Sequence, residues 1–123
     1  MIEVTIKDYL SEYFAEDEIP VYLVLPESLP NPTDAGSFIL IEKVGSSLEN
    51  WLFDSTLAIQ SYGATLYDAG NLSQRVVRAM LDAVSIDEIT RVSLNSEYEF
   101  TDTETKRPRY QAVFDVTHYF KDE

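Results

Sequence analysis

The chain of 123 residues has no cysteine, which excludes disulfide bonds and thiolate metal sites and leaves stability to packing or assembly. Its four glycines, at positions 36, 45, 63 and 70, are too far apart to form a glycine-rich phosphate-binding loop. A single histidine, His118, and the lack of a Gly-x-Ser-x-Gly motif leave few groups for acid–base or nucleophilic catalysis. We therefore expect neither an enzyme nor a cofactor site.

Positive charge is also scarce, because nine Lys and Arg residues stand against 22 Asp and Glu residues, for a net charge of −13. The chain is 45% hydrophobic and 12% aromatic, which is typical of a folded domain and not of a disordered acidic chain. The acidic balance opposes independent or sequence-specific binding to nucleic acid. No segment approaches the ~18 apolar residues of a membrane span, so no membrane association is expected. The length predicts a single domain over residues 1–123.

Apolar residues recur at helical spacing in two segments. The first segment predicts an amphipathic helix from Ile2 to Tyr13, which ends before Pro20. The second begins at Thr65 in "TLYD", which resembles a capping box, and continues for about twenty residues. Gly70 lies inside this second helix, where glycine costs ~1 kcal/mol relative to alanine.

Strand patterns of period two or short apolar runs fill the rest of the chain. The predicted strands cover residues 21–25, 37–44, 51–62, 91–100 and 110–120. A turn signal, "GSS", is expected to end the second strand, residues 26–37 are expected to form a loop, and the last two strands are expected to form a long hairpin. The order α-β-β-β-α-β-β predicts an α+β fold in which a mostly antiparallel sheet packs against two helices.

Aromatic residues divide between the predicted buried and exposed phases of these strands. Trp51 and Phe53 fall on the buried phase and are expected in the core, and His118 lies on the apolar face of the last strand as a packed histidine. Tyrosine favours interfaces because it joins apolar area to a polar tip. The candidates for contact residues are Tyr22, Tyr62, Tyr67, Tyr110 and Tyr119.

The stretch "TETKRPRY", residues 103–110, gathers three of the nine basic residues, Lys106, Arg107 and Arg109, within four positions. One interpretation is a solvated hairpin tip whose charges keep sheet edges apart. The other is a basic loop that docks on the acidic face of a neighbouring copy, a heterologous contact that closes into a ring when the rotation permits. The nearby Asp102 and Glu104 could form a metal or acid–base pair but are read as solvated surface, since the glycine and final glutamate of a calcium loop are lacking.

Two long stretches, "FILIEKVGSSLENWLFDSTLAIQSYGATLYDAGNLSQRVVRAM" and "LNSEYEFTDTETKRPRYQAVFDVTHY", carry a family resemblance. They resemble the minor capsid or tail-completion proteins encoded between the head and tail genes of long-tailed phages and prophages of Gram-positive bacteria. The most distinctive pieces are "IEKVG", "AIQSYG" and "TDTETKRPRYQAVFD". That family is similar in element order to phage tail terminators, α+β proteins that assemble as hexameric rings on the finished tail tube.

The resemblance implies a virion structural protein of the head–tail junction, made in the host bacterial cytoplasm. Its implied partners are other copies of itself in a ring of six, the tail-tube protein, and a head connector or neck protein. Contacts with them are expected from the last hairpin, the loop 26–37 and the basic stretch. The candidate contact residues are Lys106, Arg107, Arg109, Asp102, Glu104 and Tyr110.

Two other functions stay open at this point. A head-completion or connector protein of the neck would use the same kind of ring on the head side of the junction. An acidic DNA mimic, from a different class, would occupy a nuclease or another DNA-binding protein. Self-association is expected of a ring protein, and tight 1:1 binding to a basic protein is expected of a mimic.

Overall fold

The computed structural model describes residues 1–26, 36–101 and 106–119, and these form an α+β fold of two helices and a five-stranded sheet, as the sequence predicts. A short 3₁₀ turn follows each helix, at Ala15–Asp17 and at Asp82–Ser85. In chain order the elements are α1 (Ile2–Tyr13), β1 (Val21–Tyr22), β2 (Phe38–Glu49), β3 (Leu52–Tyr62), α2 (Leu66–Leu81), β4 (Ile89–Glu99) and β5 (Arg109–Tyr119).

The strands lie in the order β1-β2-β3-β5-β4. β1 pairs with β2 in parallel, and the other three pairings are antiparallel. β4 and β5 form the predicted hairpin, and β5 lies between β4 and β3. β1 contacts β2 only through the pairs at Ile39 and Leu40, so most of β2 extends beyond it. The described sheet therefore has one edge along β4 and another along the distal half of β2.

Both helices pack on one face of the sheet, where the main core lies. α1 contributes the buried residues Ile6 and Leu10, and α2 contributes Val76 and Met80. They meet the side chains that alternate inward from the central strands, as half-buried strands require. These strand residues are Ile39, Ile41, Leu57, Ile59, Ala112, Phe114 and Val116.

The α2 helix begins and ends with recognisable local signals. The Thr65 Oγ1 accepts a hydrogen bond from the Asp68 backbone N–H at 3.1 Å, which confirms the N-terminal cap. The helix ends at Leu81, earlier than the predicted twenty residues, because residues 82–85 tighten into a 3₁₀ turn. Gly70 faces the Tyr110 ring, and a Cβ placed there would lie 3.3 Å from Tyr110 Cε1. The glycine lets the helix approach β5 closely.

Two strand boundaries differ from the sequence predictions. β1 has only two residues, and β2 does not stop at "GSS" but continues to Glu49, with a register shift between Lys43 and Gly45. The turn lies at Asn50 and Trp51, whose φ angles are 54° and 67°. Positive φ at both positions of a two-residue loop is typical of a type I′ hairpin, and asparagine tolerates it well. β2 therefore stays paired with β3 beyond Gly45, and this glycine does not end the strand.

The expected core position of Trp51 is wrong, because its side chain is 74% exposed at the hairpin turn. Phe53 is half-buried. Burial alternates along β3 only as far as Leu57, because every residue from Leu57 to Tyr62 is buried and the predicted wetter face is covered there. Beyond Ile41 every residue of β2 is exposed.

Candidate functional site

The basic cluster, defined as Lys106, Arg107 and Arg109, lies where the chain enters β5. Lys106 is an exposed turn residue with a φ of 57°, and Arg107 is half-buried. Asp102 and Glu104 lie outside the described residues. The structure thus separates the cluster into an exposed lysine and two arginines that lie partly within the protein.

The Arg109 guanidinium is engaged inside its own chain. Its Nη1 donates a hydrogen bond to the Tyr62 hydroxyl at 2.9 Å, and its Nε donates to the Phe100 carbonyl oxygen. The guanidinium carbon also lies 4.4 Å from the centre of the Phe100 ring, a cation–π distance. Arg109 therefore holds β3, β5 and the end of β4 together, and an additional contact with another copy stays a prediction.

An aromatic and amide network surrounds Arg109 on the face of the sheet opposite the helices. The Tyr62 ring stacks on Phe38 with centroids 4.4 Å apart, and its hydroxyl donates to Gln60 Oε1 at 3.0 Å. Gln60 Nε2 in turn donates to Gln111 Oε1 at 3.0 Å. Tyr62 is only 2% exposed, so its predicted role as a surface contact residue is wrong. The network satisfies polar groups of the central strands and fixes their side chains.

Tyr110 projects to the opposite face from its neighbour Arg109, as alternation along a strand requires. Its half-buried ring packs against Gly70 of α2 and lines a surface groove together with Leu66 and Tyr67. Tyr67 is highly exposed, as predicted. Tyr110 and the basic cluster are adjacent in sequence but contribute to different surfaces.

A second groove, here called the α2–β4 groove, follows α2 toward its C-terminal end. It has a volume of about 450 Å³, and its apolar wall comes from Val77, Leu81 and Leu94. Its polar lining comes from Gln74, Arg78, Asp82 and Glu97, so one cation stands beside two carboxyl groups. Leu81 and Leu94 are exposed. The sequence pattern identified these residues as part of a helix and a strand but gave no sign that they would form a groove at the sheet edge.

His118 and Ser55 form a pair that resembles part of a catalytic site. Ser55 Oγ lies 2.8 Å from His118 Nε2, and the His118 ring stacks on Phe53 with centroids 5.3 Å apart. A nucleophile must reach its substrate, yet Ser55 is 1% exposed and His118 is 8% exposed. The pair therefore acts as a satisfied polar contact within the sheet, and His118 is the packed histidine predicted from sequence.

Burial gives His118 a testable pH dependence. Desolvation lowers the pKa of His118 below its usual 6.5, against the raising effect of a backbone hydrogen bond at Tyr119. The unfolded chain then binds the proton more readily, so stability falls as pH drops below about 6.5 and the loss is absent above it. We expect the wild type to lose more unfolding free energy between pH 8 and pH 5.5 than His118→Gln, by at most ~1.4 kcal/mol per pH unit. Parallel urea-unfolding profiles for the two proteins would contradict this.

A salt bridge on the surface joins the 3₁₀ turn after α1 to α2. Arg75 pairs with Asp17 at 2.6 Å, and both side chains are close to half exposed, so the pair contributes ~0–1 kcal/mol. Within residues 1–26, 36–101 and 106–119, no group of three or more His, Asp or Glu side chains is arranged to hold a metal ion. In the same ranges no helix is long and apolar enough to cross a membrane.

Comparison with known proteins gives no family: no family model matches the chain, and no curated protein matches it. Function must therefore be argued from the surfaces described above.

Proposed function

We propose that this protein is a structural assembly protein of a long-tailed phage or prophage, a tail terminator or neck ring that caps the tail tube and joins it to the head. The starting point is the sequence resemblance. One structural observation supports it: in the described sheet, no strand pairs with the outer edge of β4 or with residues 42–49 of β2. Free strand edges present N–H and C=O groups that pair readily with another chain.

The two free edges lie on opposite sides of the sheet, which suits a head-to-tail arrangement. Contact between unlike surfaces of identical subunits produces a ring when the rotation closes. A ring that matches the end of a tube but presents a different outer face stops the addition of further tube subunits. Such a protein works by binding geometry and needs no catalytic group.

The proposed partners are other copies of the chain in a ring of six, the tail-tube protein, and a head connector or neck protein. The proposed location is the head–tail junction of the virion. The net charge of −13 suits this place, because an acidic lumen repels DNA and lets it pass without adhering. A neck ring on the head side would use the same surfaces, and labelling in the particle would separate the two.

Native mass spectrometry of the purified chain at several salt concentrations tests the proposal. We expect closed oligomers, with six copies as the main species, and binding of the ring to the end of tail tubes in electron micrographs. A chain that stays monomeric at all concentrations, alone and with tubes, would contradict the proposal. Tight 1:1 binding to a basic DNA-binding protein by such a monomer would instead favour the DNA mimic.

Charge reversal at Lys106 and, separately, at Arg109 distinguishes a cation on the surface from one that stabilises the fold. Lys106→Glu should weaken self-association at low salt while changing the unfolding free energy by no more than ~0.5 kcal/mol, because Lys106 is exposed. Arg109→Glu should lower the unfolding free energy by about 2 kcal/mol, since it removes charged hydrogen bonds and a cation–π contact. Urea unfolding and native mass spectrometry measure the two effects. If Lys106→Glu assembles as the wild type does, Lys106 takes no part in the contact between copies.

A further inference from the structure

The two free edges of the described sheet run in directions that suit pairing between copies. β2 and β4 are separated by β3 and β5, and each of the pairings between them is antiparallel, so β2 and β4 run in opposite directions. When a second copy lies beside the first in the same orientation, the β2 edge of one meets the β4 edge of the other as an antiparallel pair. β1 ends at Tyr22, level with Leu40, and leaves residues 42–49 of β2 open in the described part of the chain.

The β2 residues whose backbone groups point away from β3, here called outward residues, follow from the strand ladder. Successive residues of an antiparallel strand direct their N–H and C=O groups to opposite sides. The Ile39 N–H donates to the segment before β1 at 2.9 Å, so Ile39 is an outward residue, and alternation makes Lys43 another. The register shift after Lys43 inserts one extra residue, so the next outward residues are Ser46 and Leu48.

β4 has the same pattern on its outer edge. The Phe100 N–H donates to β5 at 2.9 Å, so Phe100 points inward and alternation makes Glu97 an outward residue. The register shift after Leu94 inserts one extra residue, so the next outward residues are Leu94 and Val92. Bulges normally protect a free edge from pairing. Here the bulges give both edges outward residues at the same spacing, three positions and then two.

One antiparallel alignment brings these outward residues of the two edges opposite one another. The facing pairs are Lys43–Glu97, Ser46–Leu94 and Leu48–Val92. Residues that face each other in this way exchange two hydrogen bonds per pair. A shift of two positions in either direction puts the bulges out of step, so an outward residue meets an inward one. The backbone alone therefore selects this alignment.

The charged side chains fit the same alignment. Glu49 and Arg91, both exposed, fall opposite each other, and exposed Lys43 falls opposite half-buried Glu97. The Ser73 hydroxyl donates to Glu97 Oε2 at 2.6 Å and holds this carboxylate beside the edge. Opposite charges that face each other across a strand pair stabilise it. Each cation of the two paired edges thus meets a carboxylate.

The other acidic residues of the two edges do not oppose one another in this alignment. Glu42 falls opposite Tyr98, and Glu99 falls opposite Ile41. A parallel alignment would instead bring like charges together at both ends of the pair, which is destabilising. The charges therefore favour the antiparallel direction that the backbone requires.

We propose that the outer edge of β4 in one copy pairs with residues 43–49 of β2 in a second copy, in the alignment that sets Arg91 opposite Glu49. This inference rests on the proposed self-assembly and specifies the surfaces that form the contact. Each copy uses β4 toward one neighbour and β2 toward the other, so the sheets continue from copy to copy. Such a head-to-tail contact builds a ring when the rotation closes.

Introduced cysteines test the alignment directly, because the chain has none of its own. Ser47 and Ser93 fall opposite each other as a non-hydrogen-bonded pair, with Cα atoms about 4.5 Å apart, within disulfide range. Within one chain they lie on strands separated by two others, roughly 14 Å apart, which is too far for a disulfide. On mild oxidation, Ser47→Cys/Ser93→Cys should therefore give disulfide-linked oligomers on non-reducing gels. The matched control Ser47→Cys/Asn95→Cys, offset by two positions, should give far fewer.

A mixture of the single variants tests the direction of the contact. Ser47→Cys and Ser93→Cys together should form disulfide-linked heterodimers, whereas each variant alone should stay monomeric on the gel. Homodimers as abundant as heterodimers would indicate a symmetric contact between like edges and would overturn the proposal.

A charge exchange supplies a second reading without cysteines. Arg91→Glu and Glu49→Arg should each weaken self-association about tenfold at low salt, with an unchanged thermal midpoint because both residues are exposed. The double variant should recover most of the affinity. Because β3 and β5 separate these positions within a chain, the recovery requires a contact between copies.

The outcomes separate this inference from the proposed function. Rings of the wild type whose cysteine variants cross-link without preference for Ser47 with Ser93, or whose charge exchange fails to recover affinity, would overturn the edge pairing and leave the proposed function standing. A wild-type chain that never self-associates would overturn both.

Discussion

Replacing Gly63 with alanine is expected to lower the unfolding free energy by about 3 kcal/mol or more, the upper range for inserting atoms into a packed site. A Cβ at this position would lie 2.5 Å from the Ala69 backbone nitrogen and 2.9 Å from the Asp68 carbonyl carbon. Both are backbone atoms in the first turns of α2, so relief requires the helix to move relative to β3. The Gly63 N–H also donates to the Pro108 carbonyl at 3.2 Å, which ties this corner to the start of β5.

Gly45→Ala is the matched control, because nothing lies within 4 Å of a Cβ placed there and its φ is not positive. Its effect on the unfolding free energy should stay within about 0.5 kcal/mol. Urea unfolding followed by circular dichroism measures both variants. Equal stability of the two alanine variants would show that the β3–α2 corner is looser than the structure indicates.

Phe114→Ala is expected to be at least as damaging and to cost ~3–5 kcal/mol of unfolding free energy. Phe114 is fully buried in β5, directly between Leu57 of β3 and Leu94 of β4. Removal of the ring leaves a cavity beneath the part of the sheet that supports the α2–β4 groove.

Phe100→Ala removes the same atoms from an exposed position and serves as the control. Its expected cost is about 1 kcal/mol, mainly from the lost cation–π contact with Arg109. Denaturant midpoints of the two variants, compared at equal slope, give the difference directly. A Phe114→Ala variant no less stable than Phe100→Ala would contradict the central position of Phe114 in the core.

The residues of the basic cluster lie close together in the sequence but have different environments in the fold. Lys106, Arg107 and Arg109 form one group when they are read as charge along the chain. In the structure Arg109 binds Tyr62 and Phe100 within its own chain, and Lys106 is the exposed member. Reversing all three charges at once would therefore mix a loss of folding with any effect on the proposed assembly. Single variants at Lys106 and Arg109 keep the two effects apart.

The Ser55–His118 pair is the opposite case. Its geometry resembles part of a catalytic site, but both side chains are buried and cannot reach a substrate. The sequence predicted the strand face of His118 but did not indicate that His118 would contact Ser55. Their 2.8 Å contact arises because Phe53 and His118 are paired in register across β3 and β5. Desolvation then lowers the pKa of His118 and favours the neutral ring. We therefore expect His118 to affect the pH dependence of the unfolding free energy and not to support an enzymatic reaction.

The sequence alone determined the element types, their order and the α+β class, because burial on one face imposes a period of about 3.6 in helices and two in strands. It also determined the start of α2, since the Thr65 cap is a local interaction. Only the tertiary structure decided that β5 lies between β3 and β4, that Arg109 meets Tyr62, and that Trp51 is exposed. These depend on which strands pair and on where the helices stop covering the sheet, and no local pattern encodes either one.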